Sequence, residues 1–190
     1  MPKQIIACAA LLAGLTAFAS LSFAAANGGR FTITSAQVGN RKAMANEQVL
    51  NGFGCMGGNV SPEIKWRNPP AGTKSFALQM YDPDAPTGSG WWHWVVVDIP
   101  AAAREIPKGA SKQGTATLQG GGRQTRTDFG APGYGGPCPP PGKPHRYIFT
   151  LTALNVDKLD VPNDASGALV GFNLGAHKLG TAVIRAQYGR

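Results

Sequence analysis

Apolar runs separated by glycine- and proline-rich turns dominate this chain and predict strands. The pattern alternates cleanly over 75–81, is β-branched and aromatic over 92–99, and is nearly continuous over 146–154. A near-continuous apolar run is typical of a strand covered on both faces, which places 146–154 inside a sheet. Shorter strands are predicted at 31–34, 64–66 and 181–188. The sequence therefore predicts a mainly β fold with long ordered loops.

One helix is predicted near the end of the sequence. Asp164 or Ser166 can cap a segment that runs to about His177 and ends before Gly180. Glycines inside the segment weaken it, each by roughly 1 kcal/mol relative to alanine. Its apolar face is predicted to consist of Leu169, Phe172, Leu174 and Ala176.

The first residues have the order of a secretory signal. Lys3 precedes an apolar stretch over 5–18, and Ser22-Phe23-Ala24 gives the small-x-small pattern of a cleavage site. The apolar stretch is too short for a membrane anchor, which needs roughly 20 residues. We therefore expect residues 1–24 to be cleaved, residues 25–190 to form one domain, and the protein to be periplasmic or secreted.

The charge of the chain is basic but dispersed. The 18 Lys and Arg against 10 Asp and Glu give a net charge of +8, and the basic residues are scattered singly. A nucleic-acid-binding protein usually clusters them on one element, so this class is not expected. A dispersed basic surface favours loose attraction to anionic lipids or acidic ligands, or serves solubility alone. Membrane contact is expected to be peripheral at most.

Two cysteines, Cys55 and Cys138, follow the predicted signal. An even number in an exported protein permits one disulfide. The alternative is a pair of buried thiols that pack as small apolar residues. The oxidising compartment favours the disulfide.

The candidate functional residues lie on proline-stiffened loops and at strand starts. Asp82 and Asp84 belong to Asp82-Pro83-Asp84-Ala85-Pro86, and His93 and His145 each begin a strand-like run. Either aspartate could simply cap its own turn. The pairing of carboxylates with imidazoles favours a preformed anion pocket instead, in which a carboxylate raises the pKa of His93 and holds a histidine in place.

Catalytic, metal and cofactor sites are not expected. Two His and two Asp suit a divalent ion in type, but no pair has the His-x-x-x-His spacing of a helical site. There is no Gly-x-Ser-x-Gly elbow, and Cys138 lies between prolines without an activating base. The dinucleotide-like run Gly52-Phe-Gly-Cys-Met-Gly57 leads into a segment that cannot start a helix, so it is interpreted as a turn.

Several motifs in order resemble the phosphatidylethanolamine-binding protein family, most closely its bacterial Raf-kinase-inhibitor-like branch. The resemblance spans nearly the whole chain after the signal. It is carried by Phe53-Gly-Cys55, Asn59-Val-Ser-Pro62, Gly72-Thr-Lys-Ser-Phe-Ala77, Asp82-Pro-Asp-Ala-Pro86, Gly90-Trp-Trp-His-Trp-Val-Val96, Gly133-Tyr-Gly-Gly-Pro-Cys-Pro-Pro140, His145-Arg-Tyr147 and Tyr188-Gly-Arg190.

This resemblance implies a large antiparallel sheet packed on a smaller one, a few peripheral helices, and an anion cavity at one edge. Residues matched to the cavity are Asp82, Asp84, Pro86, His93, Gly136, Pro137, Cys138, His145 and Tyr147. The expected function is binding of a small anion or phospholipid head group, without catalysis or cofactor. The alternative is inhibition or modulation of a protein partner, and a hydrolase is less favoured. The sequence leaves the oligomeric state open, a homodimer included.

Overall fold

The computed structural model describes residues 29–40 and 42–190, and the signal predicted over 1–24 lies outside them. These ranges contain ten strands, one α-helix and one 3₁₀ turn at Asn46–Gln48. The strands are β1 (Thr32–Thr34), β2 (Asn51–Gly52), β3 (Cys55–Met56), β4 (Ile64–Arg67), β5 (Ser75–Asp82), β6 (Trp91–Pro100), β7 (Glu105–Ile106), β8 (Arg123–Gln124), β9 (His145–Leu154) and β10 (Lys178–Tyr188). The helix α1 (Gly167–His177) connects β9 to β10.

A five-stranded sheet is the centre of the fold. Its order is β10-β9-β5-β6-β8, and a three-stranded sheet has the order β1-β4-β7. Every strand pairing in both sheets is antiparallel. The mainly β prediction is confirmed, and the apolar run of β9 lies inside the sheet between β10 and β5.

The two sheets enclose the larger of two apolar cores. Phe76, Leu78 and Met80 alternate along β5 and are fully buried in the same cluster as Ile64 and Trp66 of the smaller sheet. Burial of each such side chain stabilises the fold by roughly 1.5–3 kcal/mol. The packing of a large sheet on a smaller one is therefore confirmed.

The opposite face of the large sheet packs on helix α1. The Ser166 hydroxyl accepts a hydrogen bond from the Leu169 amide and caps the helix, as predicted. Val170 and Leu174 are buried in a second cluster, which also contains Val95 and Val97 of β6.

The predicted apolar face of α1 was largely wrong. Only Leu174 is buried, whereas Phe172 is 83 % exposed, Leu169 is 42 % exposed and Ala176 is exposed. The cause is Gly167, where a Cβ would lie 2.4 Å from the Trp92 indole. Because residues three and four positions apart lie on the same helix face, the close contact at Gly167 places residues 170 and 174 against the sheet. It turns Phe172 towards solvent.

Strands β2 and β3 form a short hairpin. Phe53 and Gly54 have φ of 51° and 80° and form the two-residue turn between β2 and β3. Positive φ at both positions is the geometry of a tight hairpin turn. The interpretation of Gly52–Gly57 as a turn is therefore confirmed. In the parts of the chain that the structure describes, no helix is long and apolar enough to cross a membrane.

Candidate functional site

The candidate residues converge because three neighbouring strands end or begin at one edge of the large sheet. Strand β5 ends at Asp82, β6 begins at Trp91 and β9 begins at His145. Since β5 pairs antiparallel with both β6 and β9, these three ends lie together. A cavity of about 200 Å³ opens at this edge.

Six of the nine predicted site residues line this cavity. They are Asp82, Pro86, His93, Cys138, His145 and Tyr147. Asp84, Gly136 and Pro137 do not line it. The cavity also contains residues that the sequence did not indicate, namely Phe53, Ala85, Thr87, Trp91, Phe129, Pro139 and Pro140.

Asp82 orients His145. Its Oδ2 accepts a hydrogen bond of 2.8 Å from His145 Nδ1, and its Oδ1 accepts one of 2.8 Å from the Asp84 amide. The carboxylate therefore holds a histidine and caps its own turn, so both roles considered from the sequence are present. Both of its oxygens have protein donors, and Asp82 is almost fully buried.

His93 reaches the cavity through a bulge in β6. Met80 pairs with Trp94 and Tyr81 pairs with Trp92, so His93 is an extra residue with no partner in β5. Strict alternation would turn His93 towards the α1 face, with Val95. The bulge re-aims its side chain to the cavity face, where its ring lies 5.2 Å from that of Tyr147.

The charge state expected for His93 was wrong. Its Nδ1 donates a hydrogen bond of 2.8 Å to the Gly135 carbonyl oxygen and makes none to Asp82. Burial lowers the pKa of His93 to about 4, and the Gly135 carbonyl and the charge of Asp82 oppose this only in part. His93 is therefore neutral at pH 7, because removal from water disfavours the imidazolium more than these neighbours favour it.

Two hydrogen-bond donors at the cavity have no partner in the described part of the protein. They are Trp91 Nε1 and Tyr147 Oη, both buried. Burial raises the pKa of Tyr147, so its phenol stays protonated. An unsatisfied buried polar group costs about 1–3 kcal/mol. A ligand oxygen that accepts hydrogen bonds from these two groups would therefore gain the most binding free energy.

The loop at Gly136 is structural in this geometry. The Gly136 amide donates a hydrogen bond of 2.8 Å to Asn59 Oδ1, and the Pro137 carbonyl accepts one from the Leu50 amide. The Gly136 N–H is therefore not free to bind an anion. This differs from the role in the anion cavity that the resemblance implied for Gly136. A Cβ at Gly136 would lie 2.2 Å from the Gln48 carbonyl oxygen, so the loop requires glycine there.

A disulfide joins two walls of the cavity. Cys55 and Cys138 are bonded, with their Cα atoms 6.0 Å apart, so the predicted disulfide is present in the structure. Phe53, two residues before Cys55, stacks on Phe129 with ring centroids 5.9 Å apart. Phe129 also makes T-shaped contacts with Trp91 and His93, with ring centroids 5.3 Å apart in each pair. This aromatic wall is brought together from distant parts of the chain.

Asp84 lies outside the cavity in an ion pair with Arg146. Arg146 Nη2 is 2.7 Å from Asp84 Oδ1, and Arg146 Nε also donates to Asp84 Oδ2. The Arg146 guanidinium holds the pKa of Asp84 at about 2. The pair fixes the start of β9 against the Asp82–Pro86 turn. Nowhere in 29–40 and 42–190 is a group of three or more His, Cys, Asp or Glu placed to hold a metal ion.

Comparisons with known proteins agree with this architecture. The profile described as "Phosphatidylethanolamine-binding protein" matches residues 40–189. The UPF0098 protein YbcL of Escherichia coli is 47 % identical over 174 residues, which cover 91 % of this chain and 94 % of that protein. The UPF0098 protein YbhB of the same organism is 52 % identical over 145 residues, covering 76 % and 91 %. The crystal structure of YbcL, described as a new member of the mammalian PEBP family, superposes with a TM-score of 0.81 at 48 % identity, covering 85 % of this chain and 99 % of that one.

Proposed function

The chain belongs to the phosphatidylethanolamine-binding protein family, and we propose that it is an exported protein that binds a small anion or a phospholipid head group in the cavity beside His145. The observation that carries this proposal is the pair of buried donors, Trp91 Nε1 and Tyr147 Oη, which have no acceptor among residues 29–40 and 42–190. A ligand oxygen between them would recover the hydrogen bonds that the folded protein forgoes.

The electrostatics of the chain support an anionic ligand. The net charge of +8 attracts anions over distances of a Debye length, about 8–10 Å. Inside the cavity, the charge of Asp82 is engaged by His145 and by the Asp84 amide. A phosphate-sized group can therefore approach the two free donors without meeting an unpaired carboxylate.

The chemistry of the cavity favours binding over catalysis. Cys138 is held in a disulfide and has no thiolate to offer. The hydroxyl of Thr87 donates a hydrogen bond to the Gly90 carbonyl oxygen and has no base beside it among the described residues. The Asp82–His145 pair could serve as a base, but the Cys138 sulfur and the Thr87 hydroxyl, the described lining groups of nucleophile type, are both engaged and give it no nucleophile to activate.

Export is proposed from the order of charged, apolar and small residues over 1–26, and a disulfide suits an oxidising compartment. We expect N-terminal sequencing of protein recovered from outside the cytoplasm to begin at Ala25 or Asn27. Recovery of material that begins at Met1 would contradict export with cleavage.

Calorimetric titration with inorganic phosphate and with phosphoethanolamine tests the binding function. We expect His145→Ala to weaken binding by about 1–3 kcal/mol, the range for a lost hydrogen bond to a charged group. His177→Ala is the matched control, because His177 lies on α1 and does not line the cavity. Equal affinity of both variants and the parent protein would place the ligand elsewhere, and no heat with either compound would contradict the proposal.

A further inference from the structure

Strand β10 is an outer edge of the large sheet. It pairs with β9 on one side and, among the described residues, with no strand of this sheet on the other. In an antiparallel pair, the N–H and C=O groups point alternately towards the partner strand and away from it. The Arg185 amide donates to Asn40 Oδ1. The Gln187 amide donates to the Lys42 carbonyl oxygen. The odd-numbered residues in this part of β10 therefore direct their backbone groups away from β9.

The chain itself covers only the last part of this edge. Ala43 forms a parallel bridge with Gln187, whose carbonyl oxygen accepts a hydrogen bond from the Met44 amide. Thr181 and Val183 continue the same alternation, and on this side neither makes a backbone hydrogen bond to any described residue. Thr181 is exposed and Val183 is half-buried. Two N–H groups and two carbonyl oxygens therefore remain open beside a place where the chain already adds to the sheet.

The side chains beside the open positions are basic. Arg146 of β9 pairs with Gln187, two residues beyond Arg185, so both arginines project from the same face of the sheet. Both are exposed. Arg146 is paired with Asp84, whereas Arg185 has no acidic partner within the described ranges. The two arginines line a shallow depression of about 330 Å³ together with Asn40, Ala186 and Gln187.

The charge of this edge decides what can pair with it. An open strand edge is a template for another chain, and a charged side chain on it is one means by which proteins prevent pairing between their own copies. The net charge of +8 makes a second copy repel this one, and a second copy would bring a further arginine-bearing edge. A segment that carries carboxylates instead places them beside Arg185, so its charge is complementary to the edge.

We propose that the edge from Thr181 to Arg185 binds an extended acidic segment of a partner protein, which adds as a further strand to the large sheet beside β10. The backbone of this segment pairs with the open groups of Thr181 and Val183. A Glu side chain near Val183, on the face that carries the arginines, comes within reach of the Arg185 guanidinium. This surface shares no lining residue with the cavity beside His145.

Peptide binding to the full-length protein tests the chemistry of the partner. The probe is a fluorescent decapeptide that alternates Glu and Val, and its binding is measured by anisotropy at pH 7. We expect it to bind about tenfold or more tightly than a peptide that alternates Lys and Val. The same Glu–Val peptide with every backbone amide N-methylated keeps its charge but cannot pair as a strand, so it should also bind more weakly. Absence of binding by the Glu–Val peptide, or equal affinity for it and either control, would overturn the inference.

Hydrogen exchange followed by NMR tests the location. The Glu–Val peptide should slow exchange of the Thr181 and Val183 amides. Thr32 and Thr34 are the control, because they lie on β1 at an edge of the smaller sheet. Protection at β1 without protection at β10 would overturn the inference. Protection of Thr181 and Val183 that rises with protein concentration in the absence of peptide would assign the edge to a second copy, and would also overturn it.

Variants separate a specific contact from general attraction by charge. Arg185→Glu should weaken binding of the Glu–Val peptide by about tenfold. Arg67→Glu is the matched control, because Arg67 is exposed on β4 of the smaller sheet and its reversal changes the net charge equally. Equal weakening by the two variants would overturn the inference.

A proline variant tests the backbone pairing. Val183→Pro removes one outward N–H and no hydrogen bond to β9, so it should prevent peptide binding. Its midpoint temperature of thermal unfolding checks that it is folded, and the exchange measurement on the parent protein does not depend on this variant. Undiminished binding by folded Val183→Pro would overturn the inference.

Discussion

Asp82 and His145 are 63 residues apart in the chain, yet they share a hydrogen bond of 2.8 Å that joins the end of β5 to the start of β9. The carboxylate is almost fully buried, and the imidazole is largely shielded. Because Asp82 also accepts from the Asp84 amide, one side chain fixes a turn and a histidine together. The position of His145 in the cavity therefore depends on the charge of Asp82.

Replacement of Asp82 by Asn should destabilise the protein. The amide has one acceptor oxygen where the carboxylate has two, so either His145 Nδ1 or the Asp84 amide loses its acceptor. We expect the free energy of unfolding, measured with urea at pH 7, to fall by about 1–3 kcal/mol.

Asp84→Asn is the control for this prediction. Its ion pair with Arg146 is solvent-accessible and screened, so its loss should change the free energy of unfolding less than Asp82→Asn does. A larger effect of Asp84→Asn would show that the surface pair, and not the buried one, anchors β9.

The stability of the protein should fall as the pH falls from about 6.5 to about 4. The unfolded chain binds a proton on His93 near pH 6.5, whereas the folded protein resists protonation until its pKa of about 4. In this window the unfolded state holds more protons, so the free energy of unfolding rises with pH, by up to about 1.4 kcal/mol per unit. Urea unfolding at closely spaced pH values measures the slope.

His93→Asn tests the assignment of that slope. The variant has no titrating group at this position, so the pH dependence between 4 and 6.5 should flatten even if the variant is less stable overall. Asp84 contributes below this window, because its lowered pKa of about 2 means that its stabilisation is lost only as the pH falls below its ordinary value. A slope that persists in His93→Asn would assign it to another group.

Removal of the disulfide should lower stability through the unfolded state. The bond closes a loop with a sequence separation of 83 residues. The chain-entropy treatment gives roughly 4.5 kcal/mol for a loop of this length, and less is usual in practice. Urea unfolding of Cys55→Ser/Cys138→Ser against the oxidised parent measures the loss. Two reactive thiols in unfolded, unreduced parent protein would contradict the bond.

Two glycines of α1 should respond to alanine in opposite directions. Gly167→Ala should destabilise the protein, because its Cβ would lie 2.4 Å from the Trp92 ring. Gly175→Ala has nothing within 4 Å and should stabilise the helix by up to about 1 kcal/mol. The midpoint temperatures of thermal unfolding of both variants and the parent protein test this prediction. A higher midpoint for Gly167→Ala would show that α1 can move away from the sheet.

Local patterns predicted what depends on local chemistry. The strand around Phe76–Tyr81, the Ser166 cap and the Asp82 turn follow from alternation and side-chain capping, which neighbouring residues decide. The motifs of the resemblance added the arrangement of the sheets and most of the residues that line the cavity.

Features that depend on distant contacts were not predictable in this way. The bulge at His93 breaks alternation without a glycine or proline signal, and the contact of Phe129 with Trp91 joins segments with no shared pattern. The neutral state of His93 follows from its depth, which sequence spacing does not report. Trp91 could have been found, since it pairs with Asp82 across the turn that joins the strands predicted at 75–81 and 92–99.

The Cys55–Cys138 bond divides the cavity between two topologically different parts of the chain. Asp82 and His93 lie inside the covalent ring that it closes, whereas His145 and Tyr147 lie beyond it on β9. A single backbone cut between the cysteines would leave both fragments attached. A cut in the exposed segment 140–144 would instead leave His145 joined to its partner Asp82 only through non-covalent contacts. That short segment is therefore where proteolysis would separate the two halves of the pocket.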